Sequence, residues 1–117
     1  MTPQQQRIAI AEACGWKWAI LWTGELHGKP HGEQGPFRPV PDYLNDKNAT
    51  QEAKKVLWDK GLLLEFVNQL VGIVCAAKGF RWDKLTTDDH LIFVATATAE
   101  QEAEAFLRVL GLWEEAL

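Results

Sequence analysis

The spacing of apolar and polar residues predicts a helix at the start of the chain. Apolar positions between Ile8 and Cys14 lie mostly three and four residues apart, which is the spacing of a helix with one buried face. Thr2 is a suitable N-cap, and Pro3 suits the first helical position. We therefore predict a helix from about Pro3 to Cys14, with Gly15 at its C-terminal end.

The next segment combines aromatic and aliphatic residues with a single charge. Residues 16–23, Trp-Lys-Trp-Ala-Ile-Leu-Trp-Thr, are typical of a strand, and alternation would place its three tryptophans on one face. Residues 24–41 contain four glycines and four prolines and are predicted to form an irregular binding loop or a hairpin tip. Within it, Phe37, Arg38 and Val40 are candidates for a short edge strand, where proline is tolerated.

Helical patterns dominate the second half of the chain. Residues 48–57 have high helix propensity, and residues 62–77 are apolar nearly all round, as expected of a helix at the centre of the core. Thr98 and Gln101 have the spacing of a capping box. They predict a last amphipathic helix that ends at Gly111.

Two apolar segments between these helices predict strands. Residues 80–82, Phe-Arg-Trp, indicate a short strand or an aromatic corner. Residues 91–95, Leu-Ile-Phe-Val-Ala, are continuous rather than alternating, which is typical of a central strand covered on both faces. The order of elements then predicts an α+β fold for residues 1–117 as a single domain: a small mixed β-sheet with helices on both faces, an α/β/α sandwich.

Composition and charge narrow the functional classes. The 117 residues are 47% hydrophobic and 24% charged, which suits one domain with its own core. The formal net charge of -4 disfavours binding to duplex nucleic acid or to an anionic membrane surface. The helix at 62–77 is shorter than the roughly 20 apolar residues that a bilayer requires. Two cysteines, Cys14 and Cys75, lack a metal-binding spacing and follow no signal peptide, which indicates a reduced, cytoplasmic protein.

Four segments carry a resemblance to a known family. They are residues 10–16 (Ile-Ala-Glu-Ala-Cys-Gly-Trp), 41–46 (Pro-Asp-Tyr-Leu-Asn-Asp), 95–98 (Ala-Thr-Ala-Thr) and 103–108 (Ala-Glu-Ala-Phe-Leu-Arg). In order and spacing they resemble the phage ABA sandwich domain family, over nearly the whole chain outside 24–37 and 79–90. The resemblance implies a phage or prophage origin and a helix-sheet-helix sandwich, with no common assigned activity. Thr50-Gln51 stands where members usually carry Met-His, so no role of that histidine is carried over.

The six tryptophans are more than a core of this size requires. Exposed indole rings beside arginine or lysine could stack on a base and bind a phosphate, as a nucleotide requires. The alternatives are a tryptophan-rich core or a self-association face. The candidate ligand-binding residues are Trp18, Trp22, Arg38, Tyr43, Asn45, Arg81 and Trp82.

One acidic cluster is a candidate metal site. Asp83, Asp88, Asp89 and His90 supply ligand types that suit Mg²⁺ or Mn²⁺. The simpler interpretation, which we favour, is that Asp88 and Asp89 are turn and cap residues before the strand at 91–95.

Histidines and cysteines elsewhere give weaker signals. His27 and His31 have a helical ligand spacing, but a glycine and a proline between them exclude a helix, so they are expected to be solvated loop residues. Cys14 and Cys75 lie on apolar helix faces and are expected in the core rather than as nucleophiles.

These observations predict a non-enzymatic, phage-encoded binding protein of the host cytoplasm that needs no cofactor. Its partner would be a host protein or a small nucleotide-derived defence signal, and a homo-oligomer is a further expectation. Two alternatives stay open: a small metal-dependent enzyme that uses Asp83, Asp88, Asp89 and His90, and a structural, oligomer-forming accessory protein.

Overall fold

Five helices and a three-stranded antiparallel sheet make up the described part of the computed structural model, which covers residues 1–22, 24–30 and 36–115 without the side chains of Trp18 and Trp82. In chain order the elements are α1 (Pro3–Ala13), β1 (Lys17–Trp22), β2 (Glu25–Lys29), β3 (Arg38–Pro39), α2 (Lys47–Lys60), α3 (Leu63–Lys78), a 3₁₀ turn (Trp82–Lys84), α4 (Thr87–Thr96) and α5 (Ala99–Val109). The predicted α+β class is confirmed. None of the helices described is long and apolar enough to cross a membrane.

The predicted signals at the helix ends are present. The hydroxyl of Thr2 accepts a hydrogen bond from the Gln5 amide, and the Thr98 hydroxyl does the same for Gln101. In both cases the glutamine side chain accepts from the cap residue's own N–H, which completes a capping box. At the C-terminal end of α3, Gly79 caps the helix, and its φ of 74° lies in the left-handed region that glycine adopts most readily.

Helix α3 is the centre of the core. It packs on α2, α4 and α5 and buries Phe66, Leu70, Val71 and Val74. Its central place is confirmed, but burial all round is not, because Leu64 is 70% exposed.

The three strands of the sheet follow α1 in the chain and precede helices α2 to α5. Its order is β1-β2-β3, with Leu21 of β1 opposite Leu26 of β2 and Trp22 opposite Glu25. Leu26 is buried, and α1 packs against β1, so the hairpin is anchored on one side. The ladder is irregular between Lys17 and Ile20.

The strand predicted at 91–95 is wrong, because these residues belong to α4. A capping box of Thr86 and Asp89 starts a helix directly before the apolar run. Within the run Phe93 is buried, whereas Leu91 and Ile92 are more than half exposed. Continuous apolarity therefore did not indicate burial on both faces here.

The predicted arrangement around the sheet is also corrected. The sheet is antiparallel rather than mixed, since all three strands come from one consecutive hairpin region. Helices do not cover both of its faces, because Ile20 and Trp22 on one face are at least half exposed. Residues 24–41 are not irregular throughout, since they hold β2 and the short edge strand β3 that was predicted near Arg38. The 80–82 segment leads into the 3₁₀ turn rather than a strand.

Candidate functional site

Three consecutive apolar side chains at the end of β1 are at least half exposed. Ile20 is 50% exposed, Leu21 57% and Trp22 59%, and we call these three residues the β1 patch. Directly opposed residues in an antiparallel pair lie on the same face, so Ile20 and Trp22 share a face with their partners on β2, and Leu21 lies on the other. The β1 patch therefore presents apolar surface on both faces of the sheet.

The β1 patch also lies on an edge of the sheet. In the order β1-β2-β3, the two outer strands are β1 and β3, and among the residues described neither has a second neighbour. β3 is two residues long and contains Arg38 and Pro39, a charge and a proline of the kind that protects an edge from pairing. β1 is six residues long and has no charge after Lys17. Of the two outer strands described, β1 is therefore the one without the charge and the proline that protect an edge.

Aromatic contacts stiffen the face that carries Trp22. The Trp22 and His27 rings meet edge to face, with centroids 5.3 Å apart and planes at 70°. The Nδ1 atom of His27 lies 3.2 Å from the carbonyl oxygen of Glu25. Further along the sheet, the Lys29 ammonium group lies 5.2 Å from the centre of the Phe37 ring.

A close contact inside the hairpin explains why β2 carries a glycine. A Cβ atom at Gly28 would lie 3.2 Å from Cε3 of Trp16 and 3.3 Å from the carbonyl oxygen of Lys17. Trp16 is half-buried and packs against the core. Of the three tryptophans in this segment, Trp16 therefore anchors the hairpin and Trp22 projects from it.

Of the predicted ligand-binding residues, Trp22 and Arg38 lie exposed on the sheet. Tyr43 is only 2% exposed, so its ring has no free face for a ligand. The side-chain amide of Asn45 donates to both carboxylate oxygens of Asp42, at 3.2 and 3.0 Å, and thus stabilises the turn before α2.

The remaining predicted residues are Trp18 in β1 and Arg81 and Trp82 after α3. Arg81 follows α3 and pairs with Asp83 at 3.2 Å. The side chains of Trp18 and Trp82 are outside the part that the structure describes, and so is His31. Of the five candidates whose side chains the structure describes, Tyr43 belongs to the core, Asn45 and Arg81 have local partners, and Trp22 and Arg38 are exposed on the sheet.

The cysteines are poor nucleophiles in this fold. Burial raises the pKa of the Cys14 thiol to about 11, although a hydrogen bond with Tyr43 opposes the shift. Burial also raises the pKa of Tyr43. Cys75 is buried, and its thiol donates to the carbonyl oxygen of Phe80 at 3.0 Å. Cys75 is part of the core, as predicted, whereas Cys14 is only partly buried and packs against it.

Two of the acidic candidates, Asp83 and Asp89, have local partners. The Asp89 carboxylate accepts the Thr86 N–H at 3.0 Å, and this bond holds the pKa of Asp89 below its usual value. Asp83 pairs with Arg81. Within residues 1–22, 24–30 and 36–115, no group of three or more potential ligands comes together to hold a metal ion. The favoured interpretation of Asp89 as a cap is confirmed, although it caps a helix and not a strand.

Another concavity lies away from the sheet, as an open groove of about 750 Å³ between α3 and α5. Its cation, Arg108, is already held by Glu104 and Glu115, each at 3.0 Å, and lies 5.0 Å from the centre of the Trp113 ring. The groove therefore offers no uncommitted charge for a phosphate.

Ile20 and Leu21 are the site residues that sequence reasoning missed. The available signal was the uncharged apolar run of residues 18–22 shortly before Gly24, which is unusual for an edge strand.

No protein-family model matches the chain, and no curated protein or solved structure gives a match to it. The resemblance to the phage ABA sandwich domain family stays a prediction.

Proposed function

We propose that this chain is a non-enzymatic binding protein that acts on another protein through the β1 patch. One observation carries the proposal: an edge strand with Ile20, Leu21 and Trp22 all at least half exposed and no charge among them. Edge strands with such surface pair readily with other chains, by main-chain hydrogen bonds along the edge and side-chain contacts on the faces. The phage resemblance adds the expectation that the partner is a host-cell protein.

A protein suits the β1 patch better than a nucleotide does. Phosphate recognition uses converging arginine or lysine side chains. Arg38 lies on β3, two strands and so about 10 Å from β1. Arg81 is paired with Asp83, and Tyr43 is buried. Trp22 has the apolar Ile20 and Leu21 beside it on β1 and has His27 and Glu25 beside it on β2, and this mixture of apolar and polar groups favours a protein contact.

Site-specific photo-crosslinking tests the proposal. A benzophenone amino acid replaces Leu21 in one variant and the exposed helical residue Gln51 in a matched control. We expect the probe at Leu21 to form one discrete crosslinked product with a protein, identified by mass spectrometry, and to lose it when Trp22→Lys is added. The probe at Gln51 should form none. Equal products from both positions, or none from Leu21, would contradict the proposal.

Calorimetry tests the alternative that the ligand is a nucleotide and not a protein. Cyclic and ADP-ribose-derived nucleotides are titrated into the wild-type chain and into Trp22→Ala, and we expect no heat of binding in either case. Binding heat in the wild type that Trp22→Ala abolishes would show that the ligand is a nucleotide and overturn the choice of a protein.

A further inference from the structure

The guanidinium group of Arg108 is held in place on α5. Its Nε atom donates to the carboxylate of Glu104, one turn earlier in the helix, at 3.0 Å. The guanidinium carbon lies 5.0 Å from the centre of the Trp113 ring. An arginine fixed by such contacts loses little conformational freedom when it binds a further carboxylate. Arg108 is therefore a preorganised donor.

The second carboxylate on Arg108, that of Glu115, is the exchangeable one. Nη2 of Arg108 donates to it at 3.0 Å. The Glu115 side chain is 72% exposed, whereas that of Glu104 is 27% exposed. An ion pair with so exposed a partner is weak, because water solvates the released carboxylate well. Glu115 can therefore leave Nη2 while Glu104 stays on Nε.

Arg108 also lies where two concavities meet. The groove of about 750 Å³ between α3 and α5 and a second concavity of about 360 Å³ beside Glu115 are both lined by Gln69 and Arg108. The Glu115 carboxylate thus binds Arg108 at one end of the groove. A carboxylate that reached Arg108 along the groove would meet the same guanidinium group.

The α3 wall of the groove is long enough for a short peptide. It runs from Asn68 to Ala76, which is eight residues of helix or about 12 Å. An extended chain advances about 3.3 Å per residue, so three or four residues fit. Asn68 and Gln69 supply amides that can pair with a peptide backbone, and Gly72, Ile73 and Ala76 supply apolar surface for a side chain.

We infer that the groove between α3 and α5 binds an acidic segment of another protein, whose glutamate or aspartate replaces Glu115 on Arg108. Glu115 is then an internal stand-in for the ligand, and its contact with Nη2 shows which chemistry the guanidinium group accepts. The groove shares no residue with the β1 patch, so the inference does not rest on the proposed function.

The charges around Arg108 favour a carboxylate over a phosphate. A carboxylate that replaces Glu115 leaves the net charge around Arg108 unchanged. A phosphate monoester carries a charge of about −1.5 to −2 at pH 7 and would add negative charge beside Glu104. Arg108 is the one cation among the described residues that line the two concavities, so nothing there compensates the addition.

An NMR titration with capped glutamate tests the exchange. N-acetyl-glutamate N-methylamide is added to the wild type and to Glu115→Gln, with the Nε–H of Arg108 and the indole N–H of Trp113 as reporters. We expect saturable shifts, and about two- to fivefold tighter binding to Glu115→Gln, because an exposed ion pair resists displacement by about that factor. The capped glutamine, which is neutral, should cause no shift. Equal affinity in both chains, or equal shifts from both compounds, would overturn the inference.

Arg81 provides the matched control. Its pair with Asp83 is 3.2 Å long and both side chains are exposed, so Asp83→Asn releases a second arginine in the same way. The capped glutamate should bind Arg81 in this variant more weakly than it binds Arg108 in Glu115→Gln. Equal binding would show that any released surface arginine suffices, and would overturn the inference.

Peptide binding tests the groove itself. The capped tetrapeptides Glu-Ala-Leu-Ala and Ala-Leu-Ala-Glu cover both chain directions, and we expect one of them to bind at least about tenfold more tightly than the capped glutamate. Ala76→Trp fills the groove from an exposed position on α3 and should abolish that gain while leaving the capped glutamate unaffected. Peptides that bind no more tightly than the capped glutamate, or a gain that survives Ala76→Trp, would overturn the inference.

Discussion

A buried carboxylate on α5, that of Glu102, interacts with two lysines on α2. Removing the nearer lysine should lower the free energy of unfolding more than removing the carboxylate charge. Glu102 is 2% exposed. It accepts a hydrogen bond from the Thr50 hydroxyl at 2.7 Å and pairs with Lys54 at 3.1 Å and with Lys47 at 3.6 Å. The Lys54 ammonium group also lies 5.4 Å from the centre of the Phe66 ring.

The exposed fractions of the side chains indicate whether the loss of a lysine or the loss of the Glu102 charge destabilises the fold more. The lysine side chains are 19% and 46% exposed and can turn to water, whereas the Glu102 carboxylate cannot. Lys54→Met takes the nearest cation from a buried carboxylate, and we expect a loss of about 3 kcal/mol in the free energy of unfolding. Glu102→Gln keeps an acceptor for Thr50 and leaves cations that water can solvate, so its cost should be about 1 to 2 kcal/mol.

Urea denaturation of the two single variants and the double variant measures these values. The double variant should lose less than the sum of the singles, by about 1 kcal/mol or more, because each substitution removes the same interaction. Lys55→Met is the matched control: its pair with Glu52 is 3.0 Å long, but both side chains are more than 70% exposed, so the cost should be near zero. Equal losses for Lys54→Met and Lys55→Met would refute this reasoning.

Three further predictions follow from local geometry. Thr98→Ala should cost about 1 kcal/mol in urea unfolding, because it removes the N-cap of α5, and Thr87→Ala, the same change outside a cap, should cost little. Because the pKa of Cys14 is raised from 9.0 to about 11, stability present below pH 9 should be lost between pH 9 and about 11, and Cys14→Ala should remove that part of the decline. Gly28→Ala should loosen the hairpin, since its Cβ would press on Trp16, which amide exchange of β1 would detect; unchanged exchange would contradict this.

Local signals predicted four of the five helices described, all except α4. Thr2, Thr98 and the glycines after the helices act within a few residues of the chain, so their effect does not depend on distant contacts. The strand at 91–95 was mispredicted because an apolar run carries no period that separates strand from helix. The capping box of Thr86 and Asp89 directly before this run is the sequence feature that indicates a helix there.

The candidate site was less predictable than the fold. Trp22 was expected at a surface and is exposed there, but Tyr43 was expected beside it and is buried. Exposure depends on which helices cover the sheet, which is a tertiary property that alternation along β1 does not contain. The buried Glu102 was not predicted for the same reason: its lysines lie on another helix, about 50 residues away in the chain.

Amide hydrogen exchange of β1 tests the central claim most directly, because it measures whether anything covers the β1 patch. Exchange of residues 17–22 is compared in dilute protein, in concentrated protein and in a cell lysate, with α2 as the internal reference. The account predicts slower exchange in β1, and not in α2, in at least one of the latter two conditions. Exchange in β1 that is the same in all three would contradict it.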